Sequence, residues 1–136
     1  MTRYLLDTNI ISDLVRNPKG LAAERLQTVG DADICTSIIV AAELRYGCAK
    51  KGSQKLTERV EQVLAAIPVL PFEPPTDAIY GEIRNALERS GQPIGSNDLL
   101  IASHALTLGA TMVTANLREF SRIETLTVEN WLSRDP

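Results

Sequence analysis

Cysteine is nearly absent from this chain, with Cys35 and Cys48 its only two. One disulfide is arithmetically possible. The density of a secreted disulfide scaffold and the paired spacing of a zinc site are both missing. The expectation is two small buried thiols in a reducing compartment. Histidine is scarcer still: His104 stands alone, which removes a histidine pair as acid and base and leaves zinc without ligands. Long apolar runs are lacking too. No run is longer than that from Ile38 to Ala42, which could not span a bilayer. Arg3 is followed by only Tyr4, Leu5 and Leu6 before Asp7, far short of the apolar core of a signal peptide. A soluble, cytoplasmic protein with no membrane partner is expected. Nor is there an excess of positive charge, since the formal net charge is -3. That argues against an extended basic footprint for nucleic acid. Local patches remain, one around Arg45, Lys50, Lys51 and Lys55 and one at Arg84 and Arg89, although a solvated helix face is the commoner fate of such residues. Repeats, low-complexity stretches and linkers are absent. The 136 residues, 44% apolar and 23% charged, therefore read as a single domain, 1–136, with one core.

What is present is an alternation of strand and helix. Arg3 to Leu6 is strand-like and ends in Asp7-Thr8-Asn9. Ile10, Ile11, Leu14 and Val15 then recur at helical spacing until Asn17-Pro18-Lys19-Gly20 breaks the pattern. A second short helix runs from Leu21 to Val29. Asp33 to Thr36 is a second strand, and Ser37 is placed to cap a helix through Val40, Leu44 and Tyr46. Leu56 to Ala66 is helical. Ile67 to Pro71 is a strand hemmed by prolines, hence near a sheet edge. A helix opens at Thr76 or Asp77 and closes at Ser90-Gly91. SNDLLIASHALTLGA is the strongest helix, with Ser96 as its cap, an apolar interior that belongs in a core, and Gly109 as its stop. Thr111 to Thr114 is a buried strand, followed by loop, a short strand near Leu126 and a turn at Trp131. Such alternation predicts an α/β fold with a parallel sheet covered by helices on both faces. Ligands of open sheets of that kind bind outside the carboxyl ends of the strands.

That rule turns scattered acids into a candidate site. Asp7 directly follows an apolar strand, though an aspartate there could simply cap the next helix. Glu43 sits among Val40, Ala41, Ala42 and Leu44, where an acid is costly unless paired, hydrogen-bonded or metal-bound; an ion pair with Arg45 is the plain alternative. Asp98 falls in the first turn of the apolar helix, where the helix dipole alone favours it by about 0.3–1 kcal/mol. Jointly they say more. Two carboxylates about 4 Å apart repel by about 4 kcal/mol at an effective dielectric of about 20. Three such repulsions rival the ~5–15 kcal/mol stability of a whole domain. A chain that gathers these groups must supply a cation, protonate some of them or accept strain. Oxygen-only ligands favour magnesium or manganese. Such an ion could activate water and stabilise the charges of an in-line displacement at phosphorus. His104, six residues beyond Asp98 and so on another helix face, reads as structural.

The motifs YLLDTNIISDLVR, AAELRYG, SNDLLIASHALTLGA and TMVTANLREF, in that order over residues 4 to 120, resemble the PIN-domain family, and within it the VapC-type toxins of bacterial toxin–antitoxin pairs. The resemblance implies a three-layer α/β/α domain and a carboxylate cluster binding magnesium or manganese. It also implies cleavage of RNA, often structured RNA such as transfer RNA, and restraint by a cognate VapB-type antitoxin. A homodimer is implied as well. Carried over by position, it makes Asp7, Glu43 and Asp98 the metal-binding and catalytic acids, with Thr8, Asn9 and Thr114 lining their pocket. At the fourth acidic position this chain departs from many relatives by carrying Asn116. Glu119 is then the candidate for the missing carboxylate, against the alternative that both residues merely cap a turn before Phe120. Two other functions remain open at this stage. One is an aspartyl-phosphate enzyme with Asp7 as nucleophile, which Asn9 and the lack of a conspicuous late-strand lysine disfavour. The other is a non-catalytic interaction module.

Overall fold

A computed structural model describes residues 2–30 and 33–133. Five short strands are interleaved with seven helices among these residues. The order is β1 (Tyr4–Leu6), α1 (Thr8–Arg16), α2 (Leu21–Val29), β2 (Ile34–Ser37), α3 (Ile38–Lys51), α4 (Gln54–Ala66), β3 (Val69–Leu70), α5 (Thr76–Arg89), α6 (Ser96–Leu108), β4 (Thr111–Val113), α7 (Leu117–Phe120) and β5 (Val128–Glu129). The strands form one parallel sheet in the order β3-β2-β1-β4-β5. Helices cover it in the three-layer α/β/α arrangement expected of parallel strands.

The central strand carries the register. Leu5 pairs with Cys35 on one side and with Met112 on the other, and Leu5, Leu6, Met112 and Val113 are all fully buried. Each such side chain contributes about 1.5–3 kcal/mol on burial, which fixes strands of three or four residues that propensity alone would not hold. The proline-flanked strand β3 lies at the sheet edge, as its missing N–H groups require. In α1, Ile10, Ile11, Leu14 and Val15 form one buried stripe. The helix therefore lies flat on the core while its ends project to the rim. α6 buries Leu99 and the run Ile101 to Ala105, in keeping with its apolar sequence, and Gly109 (φ 64°) closes it in the left-handed conformation that glycine adopts without strain. Both cysteines are buried and free. Burial pushes the Cys35 thiol up to about 11, so it is inert near neutral pH. Among the described residues no helix is long and apolar enough to cross a membrane.

Three local expectations are corrected. Ser96 is the first residue of α6 rather than its cap; Gly95 holds the cap position and no side chain caps it. The last strand is Val128–Glu129, slightly later than Leu126, which is instead a buried core residue. The stretch after Thr114 is not all loop, because Leu117–Phe120 forms a one-turn helix anchored by the fully buried Phe120.

From β1 the chain moves outward through β2 to β3, then returns to β4 on the opposite side of β1 and ends at β5. The direction of travel thus reverses between β1 and β4. In an open parallel sheet the crevice for a ligand opens at such a reversal, beyond the carboxyl ends of the two strands. Asp7 follows β1 directly and Thr114 follows β4 directly.

Candidate active site

At this crevice the backbone N–H of Asp7 donates to the Val113 carbonyl at 2.9 Å, extending the β1–β4 ladder by one step. The Asp7 side chain is thereby fixed beside Thr114. Its Oδ2 accepts from Thr114 Oγ1 at 2.8 Å, and its Oδ1 accepts from the Thr8 N–H at 2.8 Å. The helix-cap role anticipated for Asp7 is therefore real, and it occupies only one of the two oxygens. Asp7 is almost fully buried. Burial raises its carboxyl above the usual range, the bonds from Thr114 and Thr8 pull it back, and the charge of Glu43 raises it again.

Glu43 reaches this place from the middle of α3. Its Oε1 accepts a short hydrogen bond from Thr8 Oγ1, and its Oε2 accepts from Asn97 Nδ2 at 3.1 Å. The anticipated ion pair with Arg45 is not made. Arg45 turns to α4 and grips Glu61 with two bonds of 3.0 and 2.8 Å, since helix positions two apart face about 200° from one another. Asp98 comes from the first turn of α6 and is half-buried. Its carboxyl is pushed up to about 7, by burial first, then by the charge of Asp7, by a hydrogen bond with Glu119 and its charge, and by Glu43. Three acids distant in sequence, Asp7, Glu43 and Glu119, thus all act on Asp98. The hydrogen bond with Glu119 raises Asp98 because it favours the protonated form of that carboxyl.

Asp7, Thr8, Asn9, Glu43, Asp98 and Asn116 line a single open cleft of about 520 Å³, together with Ser12 and Arg16 of α1. Asn116 occupies the cap position of α7, but its side chain makes no cap bond and faces the cleft instead. Asn9 is a brace: its Oδ1 accepts from the Ala115 N–H at 3.2 Å and ties the β4 loop to α1. Among the described residues no three Asp, Glu, His or Cys side chains stand close enough to cage an ion as they are. The donor set is entirely oxygen, which suits a hard divalent cation.

The sequence pattern of the PIN domain matches residues 4–126. The chain belongs to the PIN-domain family. Ribonuclease VapC2 of Rickettsia felis is 39% identical over 130 residues, spanning 94% of this chain and 97% of that protein. The tRNA(fMet)-specific endonuclease VapC of Shigella flexneri is 34% identical over 135 residues, spanning 96% and 99%. In three dimensions, the crystal structure of VapBC2 from Rickettsia felis bound to a promoter DNA fragment superposes with a TM-score of 0.87 at 37% identity, covering 96% of this chain and 99% of that one. This PIN domain is thus of the VapC type.

Within the PIN cleft, three contributors escaped sequence reasoning. Asn97 orients Glu43, while Ser12 and Arg16 form a wall. Asn97 stands beside Asp98 at a helix start, and the apolar pattern that revealed the helix gives no weight to a polar residue there. The structural role expected of His104 is met. The ring is buried, its Nδ1 lies 2.8 Å from Ser37 Oγ, and it packs edge-on against Phe72. Burial lowers its proton affinity, against smaller opposing effects of Glu73 and the Pro71 backbone. Ser37 in turn caps α3 through the Ile39 N–H, so the histidine secures the helix that carries Glu43.

Thr114 offers a test of how Asp7 is held. Thr114→Val keeps the shape but leaves Asp7 Oδ2 without a donor in a buried place. Unfolding by urea should show a loss of about 1–3 kcal/mol at neutral pH, shrinking as the pH falls and Asp7 takes up a proton. An unchanged midpoint would mean that water replaces the hydroxyl at no cost.

Proposed function

We propose that this chain is a magnesium-dependent endoribonuclease, with manganese as a substitute, acting as the toxin of a toxin–antitoxin pair on structured RNA such as transfer RNA. The observation that carries this reading is the convergence of Asp7, Glu43 and Asp98, with Asn116, on one cleft at the sheet's reversal point. Relatives named as ribonucleases, one of them specific for tRNA(fMet), support the reaction class. Solved structures of VapBC complexes support a VapB-type partner.

Asp7, Glu43 and Asp98 would hold the ion, with Asn116 as a neutral oxygen donor beside them. When bound, a divalent cation neutralises the crowded acids, screens the phosphodiester and makes water a better nucleophile. The protein's own part is positioning. Thr8 serves two carboxylates at once, giving its N–H to Asp7 and its hydroxyl to Glu43, so the acids of β1 and α3 are locked to a common origin. Asn97 fixes the second oxygen of Glu43. Asp98 gives up its proton only near neutral pH, held there by burial, by the charge of Asp7 and by Glu119. Among the described residues no lysine or histidine lines the cleft to serve a metal-free mechanism.

The test is cleavage of bulk transfer RNA by protein purified free of any partner. Discrete fragments should form with magnesium, vanish with excess chelator and return when manganese is added. Fragments that persist in chelator would overturn the reading. Co-purification with the product of the neighbouring reading frame, and loss of cleavage in that complex, are the outcomes expected of an antitoxin.

A further inference from the structure

The acidic cleft does not end at the acids. A second cleft of about 530 Å³ lies against the carboxyl end of α1, lined by Asp13, Asn17, Lys19 and Leu132 among others, and Arg16 lines both. Arg16 is exposed, and its Nε donates to the Ser12 carbonyl at 3.3 Å. That bond orients the guanidinium and leaves its two terminal nitrogens without a hydrogen bond or ion pair among the described residues. Arg25, Arg45 and Arg84 are each paired with a glutamate. The nearby Asp13 does not engage Arg16, since its Oδ1 accepts from Asn17 Nδ2 at 2.8 Å. Among the described residues Arg16 is also the only cationic side chain lining the acid cleft.

A polynucleotide brings a negative charge with every residue, whereas the cation argued above serves only the phosphate being cleaved. The neighbouring phosphate must pass an acidic wall, and a planar fork with two open donors is matched to a phosphate's oxygens. We propose that Arg16 is a phosphate-positioning residue, binding the RNA backbone next to the scissile bond and directing the strand across the end of α1 toward Lys19. This rests on the ribonuclease reading. Asn17, Pro18 and Gly20 follow the end of α1 and line the second cleft together with Lys19. The competing role of Arg16 is electrostatic compensation of a helix end, which would affect stability and not substrate.

Steady-state cleavage of a fluorescein-labelled, mixed-sequence RNA oligonucleotide separates the two roles, using Arg16→Ala and Arg16→Lys across potassium chloride from about 50 to 300 mM. Arg16→Ala should raise KM about tenfold and change kcat by less than about threefold. The slope of log kcat/KM against log salt should flatten by about 0.7, the loss of one phosphate contact on a single strand. Arg16→Lys should keep the salt slope while recovering only part of KM. Anisotropy of the same RNA with calcium in place of magnesium should show the same weakening without turnover. Equal KM, affinity and salt slope in wild type and Arg16→Ala, with only the melting temperature altered, would overturn the proposal. Arg16-dependent binding without magnesium-dependent cleavage would instead sink the ribonuclease reading and leave the phosphate contact standing.

Discussion

Asp7→Asn is expected to lower kcat/KM for RNA cleavage by about a thousandfold while leaving the protein as stable as before or more so. The two halves of this result come from the same fact. Asp7 is buried, and burial is the leading cause of its raised carboxyl pKa. A folded-state value above the unfolded one means that the ionised group opposes folding at neutral pH; its favourable contribution is present in acid and is lost as pH rises through the folded value. An amide carries no such charge. The substitution should therefore raise the metal-free melting temperature by a few degrees, of the order that a kcal/mol gives in a domain of this size.

The amide also fits the existing bonds. Its carbonyl oxygen can accept from the Thr8 N–H as Oδ1 does now, and its nitrogen can donate to Thr114 Oγ1. That hydroxyl already accepts from the Asn116 N–H at 3.0 Å and has a second lone pair to offer, so its own proton need only rotate away. What the amide cannot supply is the negative charge at the one position where Glu43 and Asp98 both need a cation between themselves and a neighbour. A thermal melt and a cleavage assay on the same preparation check both halves. Undiminished cleavage would remove Asp7 from the machinery. A collapse in stability would show that its buried charge is compensated in the folded protein.

The sheet was legible in the sequence because its signals are local. Asp7 after Leu6, the prolines around Val69 and Leu70, and Gly109 after an apolar helix each act over a few residues. The site was half legible. A rule about strand ends brought Asp7 to the rim, yet Glu43 and Asp98 reach it from inside helices, and their distance from it depends on how α3 and α6 pack. Glu119 was harder still. Its helix is a single turn, too short to show a period and not stable alone, and it exists because Phe120 inserts into the core. Arg16 was readable only as a helix-ending cation. Its place between two clefts is a tertiary fact with no trace in spacing.

The pair of Asp98 and Glu119 leads to the second large effect. With Asp98 at about 7, binding of magnesium at lower pH must expel a proton. At sub-saturating magnesium, kcat/KM should therefore climb up to about tenfold per pH unit between pH 5 and 7 and level off above. The metal-free protein should show the opposite trend. Because Asp98 is raised in the folded state, its favourable contribution to folding is present below about 4 and is lost as pH rises toward 7. Its melting temperature should fall over that range, by less than full burial would give since Asp98 is half-exposed. Saturating magnesium should abolish the decline. Glu119→Gln tests the cause directly. The glutamine oxygen can still accept from a protonated Asp98 and its nitrogen can donate to an ionised one, so contact survives while the repelling charge goes. The midpoint of the kcat/KM profile should then move to lower pH, even if the plateau is also lower. A midpoint unmoved by Glu119→Gln would mean that burial and Asp7 alone hold the proton, and that Glu119 has no part in the cluster.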